Sequence, residues 1–381
     1  MSAGGLAVYE RKLAGLDRKG RSRSLVAASG ADFASNDYLG LAQSQRLGDA
    51  LRSALDRGVA VGAGGSRLLR GNHPEHDALE REAAAYFGAE RALYFANGYA
   101  ANVALFSTLP QRQDIILHDA LIHASAHEGI SASRAPSIAT SHNDVNAVAD
   151  AIRSWRKAGG TGRPWIAVES LYSMDGDRAP LRELAELARL HDGFLVIDEA
   201  HATGVFGKGG RGLAEGLGHP ENCITLHTCG KALGASGALV LAPTVLCDFL
   251  VNRARNFIYS TAPSPLMAAT VREALRILDD EPERRDKLAG LVFLANREME
   301  RTIGMRSSGS QILPILVGDN RRAVRIAEGL RTEGFDVRPI RPPTVAEGTA
   351  RLRISITLNV EPETISRLFE RLAVVMRKEQ Q

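Results

Sequence analysis

The sequence predicts an α/β protein with a mainly parallel, seven-stranded sheet covered by helices on both faces, plus a smaller C-terminal α+β domain. Three observations predict it. Seven short apolar runs alternate with amphipathic stretches between residues 92 and 241, the pattern of strands joined by crossover helices. Several runs, such as Phe194-Leu-Val-Ile, are apolar without alternation, as strands buried on both faces require. Beyond about Ser264 the texture changes to long helical runs around a few short strands.

The expected strands of the large sheet are 92–95, 114–117, 137–140, 165–169, 194–198, 223–226 and 238–241. Helices fill the gaps. The run 74–87 begins at Pro74 with acids in its first turn and stops at Gly88, a C′ glycine. Asn97 is an N-cap for a helix from Gly98. Residues 144–158 open on Asp144 and end before Gly159-Gly160. Residues 180–191 repeat Leu184, Leu187 and Ala188 at helical spacing and end near Gly193. Later helices are expected at 266–279, 284–302 and 321–333, around strands at 312–316 and 351–356. Residues 30–41 read as a loop-rich lead-in. The expected division is an entry segment at 1–45, a large domain at 46–265 and a small domain at 266–381. The 381 residues suffice for such a pair.

Composition excludes several classes. The net charge is only +3, with both signs spread along the chain, so no nucleic-acid-binding arm is present. The first twenty residues lack the apolar core of a signal peptide. No apolar run approaches the length of a membrane span. Cys223, Cys229 and Cys247 form no CxxC pair and are odd in number. They read as buried filler in a reducing, cytoplasmic setting.

The densest chemistry lies between Glu169 and Lys231. Asp198 ends a buried strand, where a carboxylate must meet a cation or a donor. His201 follows on the exit loop. After the next strand comes Lys231, with small residues up to Gly237 that leave room for a bulky partner. A desolvated lysine loses its proton readily, as Schiff-base chemistry requires. Taken singly, Asp198 reads as a cap, His201 as a loop histidine and Lys231 as a surface charge. Together, on successive strand exits of one sheet, they read as a site. Ser173 opens a turn-rich segment after another strand, and Gly98-Tyr99 opens a helix whose free amides suit a phosphate. Weaker signals fall away. The GxGxxG at 207–212 does not follow a strand directly, so a dinucleotide site is not expected. His123, His127 and Glu128 lack a further ligand set, so no metal is expected. No GxSxG or GK[ST] occurs.

In order, the motifs are FASNDYLGL (33–41), GNHPEHDALE (71–80), FANGYAAN (95–102), HAS (123–125), SMDGDRAPL (173–181), IDEAHATGVFG (197–207), TCGKALGASGA (228–238), IYSTAPSP (258–265) and IRPPTVAEGTARLRIS (340–355). With these the chain resembles the α-oxoamine synthases, a fold-type I family dependent on pyridoxal 5′-phosphate (PLP). The resemblance implies that Lys231 carries PLP as a Schiff base and moves the proton, and that Asp198 partners the pyridinium nitrogen. It implies His201 and Ser173 at the ring 3′-oxygen and His123 on the ring face. Gly98, Tyr99 and Thr228 would seat the phosphate, with Thr261 lent by a second subunit of a homodimer. Arg353 would clamp the amino-acid carboxylate. Asn36, Arg341 and Thr344 fall on the substrate side, His123 also touches substrate, and Arg23 resembles an acyl-substrate contact.

The implied reaction is a decarboxylating condensation of L-alanine with pimeloyl-CoA or pimeloyl-ACP, giving 8-amino-7-oxononanoate for biotin synthesis. Rival readings within the family use glycine or serine with acetyl, succinyl or palmitoyl donors. A PLP aminotransferase and a catalytically dead partner subunit are the rivals outside that reaction. The family's TVPxG is spelled Thr344-Val-Ala346-Glu347-Gly348 here, and the segment from Arg23 to Phe33 is short.

Overall fold

The computed structural model describes residues 4–217 and 221–379. The chain forms two compact units. One comprises Leu39–Ser173 and Asp177–Arg285; the other comprises Met1–Tyr38, Met174–Gly176 and Asp286–Gln381.

The first unit contains the seven-stranded sheet: β1 (Arg91–Phe95), β2 (Ile115–Asp119), β3 (Ser137–Thr140), β4 (Pro164–Glu169), β5 (Phe194–Asp198), β6 (Cys223–Thr228) and β7 (Ala238–Ala242). Each expected run is one of these strands. Their order across the sheet is β1-β7-β6-β5-β4-β2-β3. Only β7 runs against its neighbours; the others are parallel. Consecutive side chains alternate between two apolar layers. Trp165, Ala167 and Val196 join the layer with Ala101, Leu105 and Phe106 of helix Gly98–Thr108. Ile166, Val168, Leu195 and Ile197 join the opposite layer, under Val148, Ile152, Leu184 and Ala188. Covering on both faces explains why β2, β4 and β7 are buried along their whole length. The edge strand β3 differs: Ser137, Ile138 and Ala139 are exposed. Each buried aliphatic side chain contributes about 1.5–3 kcal/mol through lost apolar hydration.

Period-two alternation also aims the strand ends. Ala167 and Glu169 share a face of β4, and Val196 and Asp198 share a face of β5. Both acids therefore end on the side covered by helix Gly98–Thr108, and in the β4–β5 register they stand directly opposite one another.

The other unit carries an antiparallel sheet of β8 (Ile312–Gly318), β9 (Arg338–Ile340) and β10 (Ala350–Ser355), ordered β9-β10-β8. Helix Asn320–Thr332 buries Ala323, Ile326, Ala327 and Leu330. Helix Pro362–Lys378 buries Ile365, Leu368, Phe369 and Leu372.

The units divide elsewhere than at the expected boundaries of 45 and 265. Ala31–Asp32 pairs in parallel with Phe335–Asp336, and Phe33 O accepts from Ser355 N at 2.9 Å. Backbone pairing thus joins the entry segment to the C-terminal unit. Helix Pro265–Asp280 instead stays with the large unit, where Leu266 and Ala269 cluster with Ala54 and Val59. Among the described residues, no helix is long and apolar enough to cross a membrane.

Candidate active site

A cavity of about 280 Å³ opens at the carboxyl ends of β4, β5 and β6. Asp198 ends β5, Glu169 ends β4 and Thr228 ends β6; His201 and Lys231 follow on the exit loops. Gly98 and Tyr99 begin the helix after β1, and His123 caps the helix Ala124–Ser131 after β2. All of these residues line the one cavity. The rim beyond the carboxyl ends of parallel strands is the usual ligand site of such sheets.

Asp198 is oriented by two donors. Asn102 Nδ2 donates to its Oδ2 at 2.8 Å, and the Ala200 amide donates to its Oδ1 at 2.9 Å. Asn102 Nδ2 also approaches Ser125 Oγ at 2.9 Å. Ser125 Oγ lies 2.7 Å from His123 Nδ1, which accepts the Ser125 amide at 3.2 Å. With Nδ1 accepting, the neutral ring carries its proton on Nε2. Burial lowers the pKa of His123; Asp198 opposes that shift and Lys231 adds to it. The ring is therefore a neutral, flat face at neutral pH.

Glu169 is fully buried. Its Oε2 accepts the Ser173 amide at 3.1 Å, while Oε1 has no hydrogen-bond partner among the described residues. Burial raises its pKa to about 8, reinforced by Asp198 and opposed by Lys231. Glu199 points away, accepting from Ser170 Oγ at 2.7 Å and from the amides of Leu213 and Ala214.

The helix at Gly98 supplies an anion seat. Asn97 Oδ1 caps the Ala100 amide at 2.8 Å. The amides of Gly98 and Tyr99 have no acceptor among the described residues. A Cβ on Gly98 would come within 2.6 Å of Thr228 Cγ2. Only glycine lets the helix start this close to Thr228 at the end of β6, whose hydroxyl donates to the Ala200 carbonyl at 3.3 Å. Amides for a phosphate, a carboxylate for a ring nitrogen and a lysine among small residues together fit the polar edges of PLP.

Ser173 is buried on the loop after β4 but does not line the cavity. Thr261 is exposed and also outside the lining. The remaining expected residues lie in the other unit. Arg353, buried on β10, donates to Ser355 Oγ at 2.7 Å, to Asn36 Oδ1 at 2.9 Å and to Tyr38 Oη at 3.3 Å. Arg341 donates to the carbonyls of Gly20 and Ser22 at 2.6 and 3.1 Å. Arg23 reaches Thr344 Oγ1 at 3.4 Å. Arg23, Arg331, Arg338 and Arg341 line a hollow of about 420 Å³ whose lining does not include Thr344. Sequence reasoning missed Asn102, Ser125 and Glu169. Asn102 lies one helical turn beyond Gly98, and Glu169 ends its strand as Asp198 ends the next. Those two spacings were the available signals.

Residues 29–372 match the family model described as aminotransferase class I and II. The 8-amino-7-oxononanoate synthase of Chromobacterium violaceum is 41% identical over 339 residues, covering 89% of this chain and 87% of that protein. The solved 8-amino-7-oxononanoate synthase of Francisella tularensis is 27% identical with a TM-score of 0.76, covering 93% of this chain and 99% of that one. A serine palmitoyltransferase from S. paucimobilis, solved with PLP and myriocin bound, shares the fold with a TM-score of 0.88 at 24% identity, over 98% of each chain.

Proposed function

The chain belongs to the class I and II aminotransferase family, alongside relatives named 8-amino-7-oxononanoate synthase, and from that premise we propose that it makes 8-amino-7-oxononanoate. It joins L-alanine to a pimeloyl thioester, releasing carbon dioxide and the carrier, coenzyme A or acyl carrier protein. The observation that carries this reading is the single cavity shared by Gly98, Tyr99, His123, Asp198, His201, Thr228 and Lys231.

The amides of Gly98 and Tyr99, with Thr228, would hold the phosphate of PLP. Asp198 would hold the ring nitrogen, His123 one ring face, His201 and Ser173 the hydroxyl edge, and Lys231 the aldehyde. Bound there, PLP supplies an electron-accepting ring for negative charge at the α-carbon of alanine. Asn102 and the Ala200 amide fix Asp198, so its charge needs no reorganisation during the reaction. Lys231 Nζ takes the α-proton of alanine and later returns a proton to the product. Arg353, oriented by Asn36, Tyr38 and Ser355, takes the alanine carboxylate in a two-pronged grip. Arg23, Arg341 and Thr344 serve the acyl donor. Thr261 completes the phosphate seat of a second copy in a homodimer. The three buried thiols fit a reducing cytoplasm.

A matrix assay tests this function: alanine, glycine and serine against pimeloyl-, acetyl-, succinyl- and palmitoyl-CoA and pimeloyl-ACP. Turnover is expected with alanine and a pimeloyl donor. Turnover confined to glycine would overturn the substrate assignment, and a ketone product without carbon dioxide would make the protein an aminotransferase.

A further inference from the structure

The backbone pairing of β10 is irregular on the approach to Arg353. Its register against β8 shifts between Ala350 and Arg351, a break that bends a strand and re-aims its side chains. Opposite Arg353 stands Pro314, which brings no amide to the ladder. Side-chain bonds must supply the placement that the ladder leaves loose. Arg353 has Ser355, Asn36 and Tyr38. Arg351 lies two residues earlier on the same face and is also buried. Its Nη1 donates to Asp175 Oδ1 at 2.5 Å and to the Met174 carbonyl at 3.3 Å.

Asp175 sits in a strap. The chain leaves the seven-stranded unit after Ser173, spends Met174–Gly176 in the C-terminal unit and returns at Asp177. The root of the strap is tied down in the first unit. Glu169 accepts the Ser173 amide at 3.1 Å, and the Tyr172 amide donates to the Asp177 carbonyl at 2.9 Å. Asp177 Oδ2 accepts from Asn143 Nδ2 at 2.7 Å and lies 2.8 Å from His142 Nε2. The tip is tied down in the second unit. Ser308 Oγ donates to the Gly176 carbonyl. Gly176 has a φ of +68°, and a Cβ there would stand 2.5 Å from the Ile312 carbonyl oxygen at the start of β8. The tip is thus cut to fit by a residue without a side chain.

We propose that Arg351 and Asp175 are a positioning pair for the amino-acid substrate: by fastening β10 to the strap that begins at Ser173, they hold the Arg353 fork in place and so set the affinity for alanine. The inference rests on the reading that gives Arg353 the alanine carboxylate and Ser173 the hydroxyl edge of PLP. A small displacement of such a clamp is felt by the group it grips, and the rest of the site is left as it was.

Full-length protein loaded with PLP is titrated with alanine, following the visible cofactor band, and is then assayed with a pimeloyl donor. Asp175→Asn should raise the Kd for alanine about three- to tenfold, and Arg351→Met at least as much. Arg351→Lys should recover part of that loss. The combined variant should be no worse than Arg351→Met alone, because both changes remove one interaction. The cofactor band before alanine should not move, and the KM for the pimeloyl donor should stay within about twofold. A pair that acts only on folding would shift all three together, and that result overturns the proposal. So does an alanine Kd within about twofold of the wild type in Asp175→Asn, or penalties that add in the combined variant. If Arg351→Met does not fold, Asp175→Asn decides, since that half-buried side chain keeps its size. Arg353→Lys separates premise from inference. An unmoved Kd there overturns the carboxylate reading and the inference together; a Kd raised there but unmoved in Asp175→Asn overturns the inference alone. If no visible band forms, the PLP reading fails and takes the inference with it.

Discussion

In the seven-stranded unit, the carboxylate that ends β5 is held in part from a regular element. Asp198 ends a strand and is fixed by Asn102, which rides on a packed helix. Around the arginine-lined hollow of the other unit, loops hold loops: Arg341 grips the carbonyls of Gly20 and Ser22, and Arg23 reaches Thr344. Strand ends fix a charge to within fractions of an ångström, as reaction chemistry demands. Loops give a surface that adapts to what it binds. Chemistry should therefore depend steeply on the first region and substrate preference shallowly on the second.

The steepest test is Lys231→Ala. If Lys231 is both the carrier of the cofactor and the base, as proposed, kcat should fall by at least about a thousandfold. The visible band of the loaded protein should vanish while circular dichroism stays unchanged. Next comes Asn102→Ala, which leaves Asp198 one donor short in a dry site. Loss of one such donor predicts a fall in kcat of about tenfold to a hundredfold, with a smaller change in KM. A kcat within twofold of the wild type would show that Asp198 needs no helix-borne support, and the contrast between the regions would dissolve.

Arg353 bears on the comparison because it lies in the second unit yet on a strand. Arg353→Lys keeps the charge but loses the planar fork held by Asn36, Tyr38 and Ser355. The KM for alanine should rise about tenfold, with acyl-donor KM nearly constant, in steady-state assays. Equal rises for both substrates would assign Arg353 to general folding instead.

The strand-end geometry was readable because its cause is local. An apolar run that stops at an acid fixes both the strand and the direction of Asp198, and every expected strand of the large sheet is present. Glu169 obeys the same rule and was passed over, because the resemblance assigned a partner only to Asp198. Asn102 was hidden differently: its importance depends on the tilt of helix Gly98–Thr108 over β5, a tertiary fact. The unit boundaries were hidden for the same reason. Nothing in Ala31–Asp32 announces pairing with Phe335–Asp336, three hundred residues on. The fold of the hollow's loops was likewise out of reach, since Arg341 is satisfied by carbonyls that any sequence would provide.

His142 shows that the strand-end region also stores stability. It bridges Asp119 Oδ1 at 2.9 Å and Asp177 Oδ2 at 2.8 Å. Burial pulls its pKa down, but the two carboxylates outweigh burial and hold it up at about 10. A raised histidine pKa stabilises most below the unfolded value of 6.5, and that stability drains away as pH rises through about 10. His142→Ala should cost about 2–3 kcal/mol at pH 6 in urea unfolding, since charge-assisted bonds to Asp119 and Asp177 are lost. The gap should close toward pH 10. A gap independent of pH would make the ring a packing element and not a cation.

The smallest effect is expected at Arg23, and it tests the comparison from the other side. Arg23 is exposed, and its 3.4 Å approach to Thr344 is long for a hydrogen bond. Removing it should change stability by less than about 0.5 kcal/mol. If the loop region serves the acyl donor by charge alone, Arg23→Ala should raise the KM for a pimeloyl donor about three- to tenfold. Arg23→Lys should restore most of that, because an exposed cation acts through screened attraction more than geometry. The effect should shrink as salt is raised, with kcat and the KM for alanine unmoved. A hundredfold loss in kcat, or a failure of lysine to rescue, would mean that this loop positions its charge as strictly as the strand ends position Asp198.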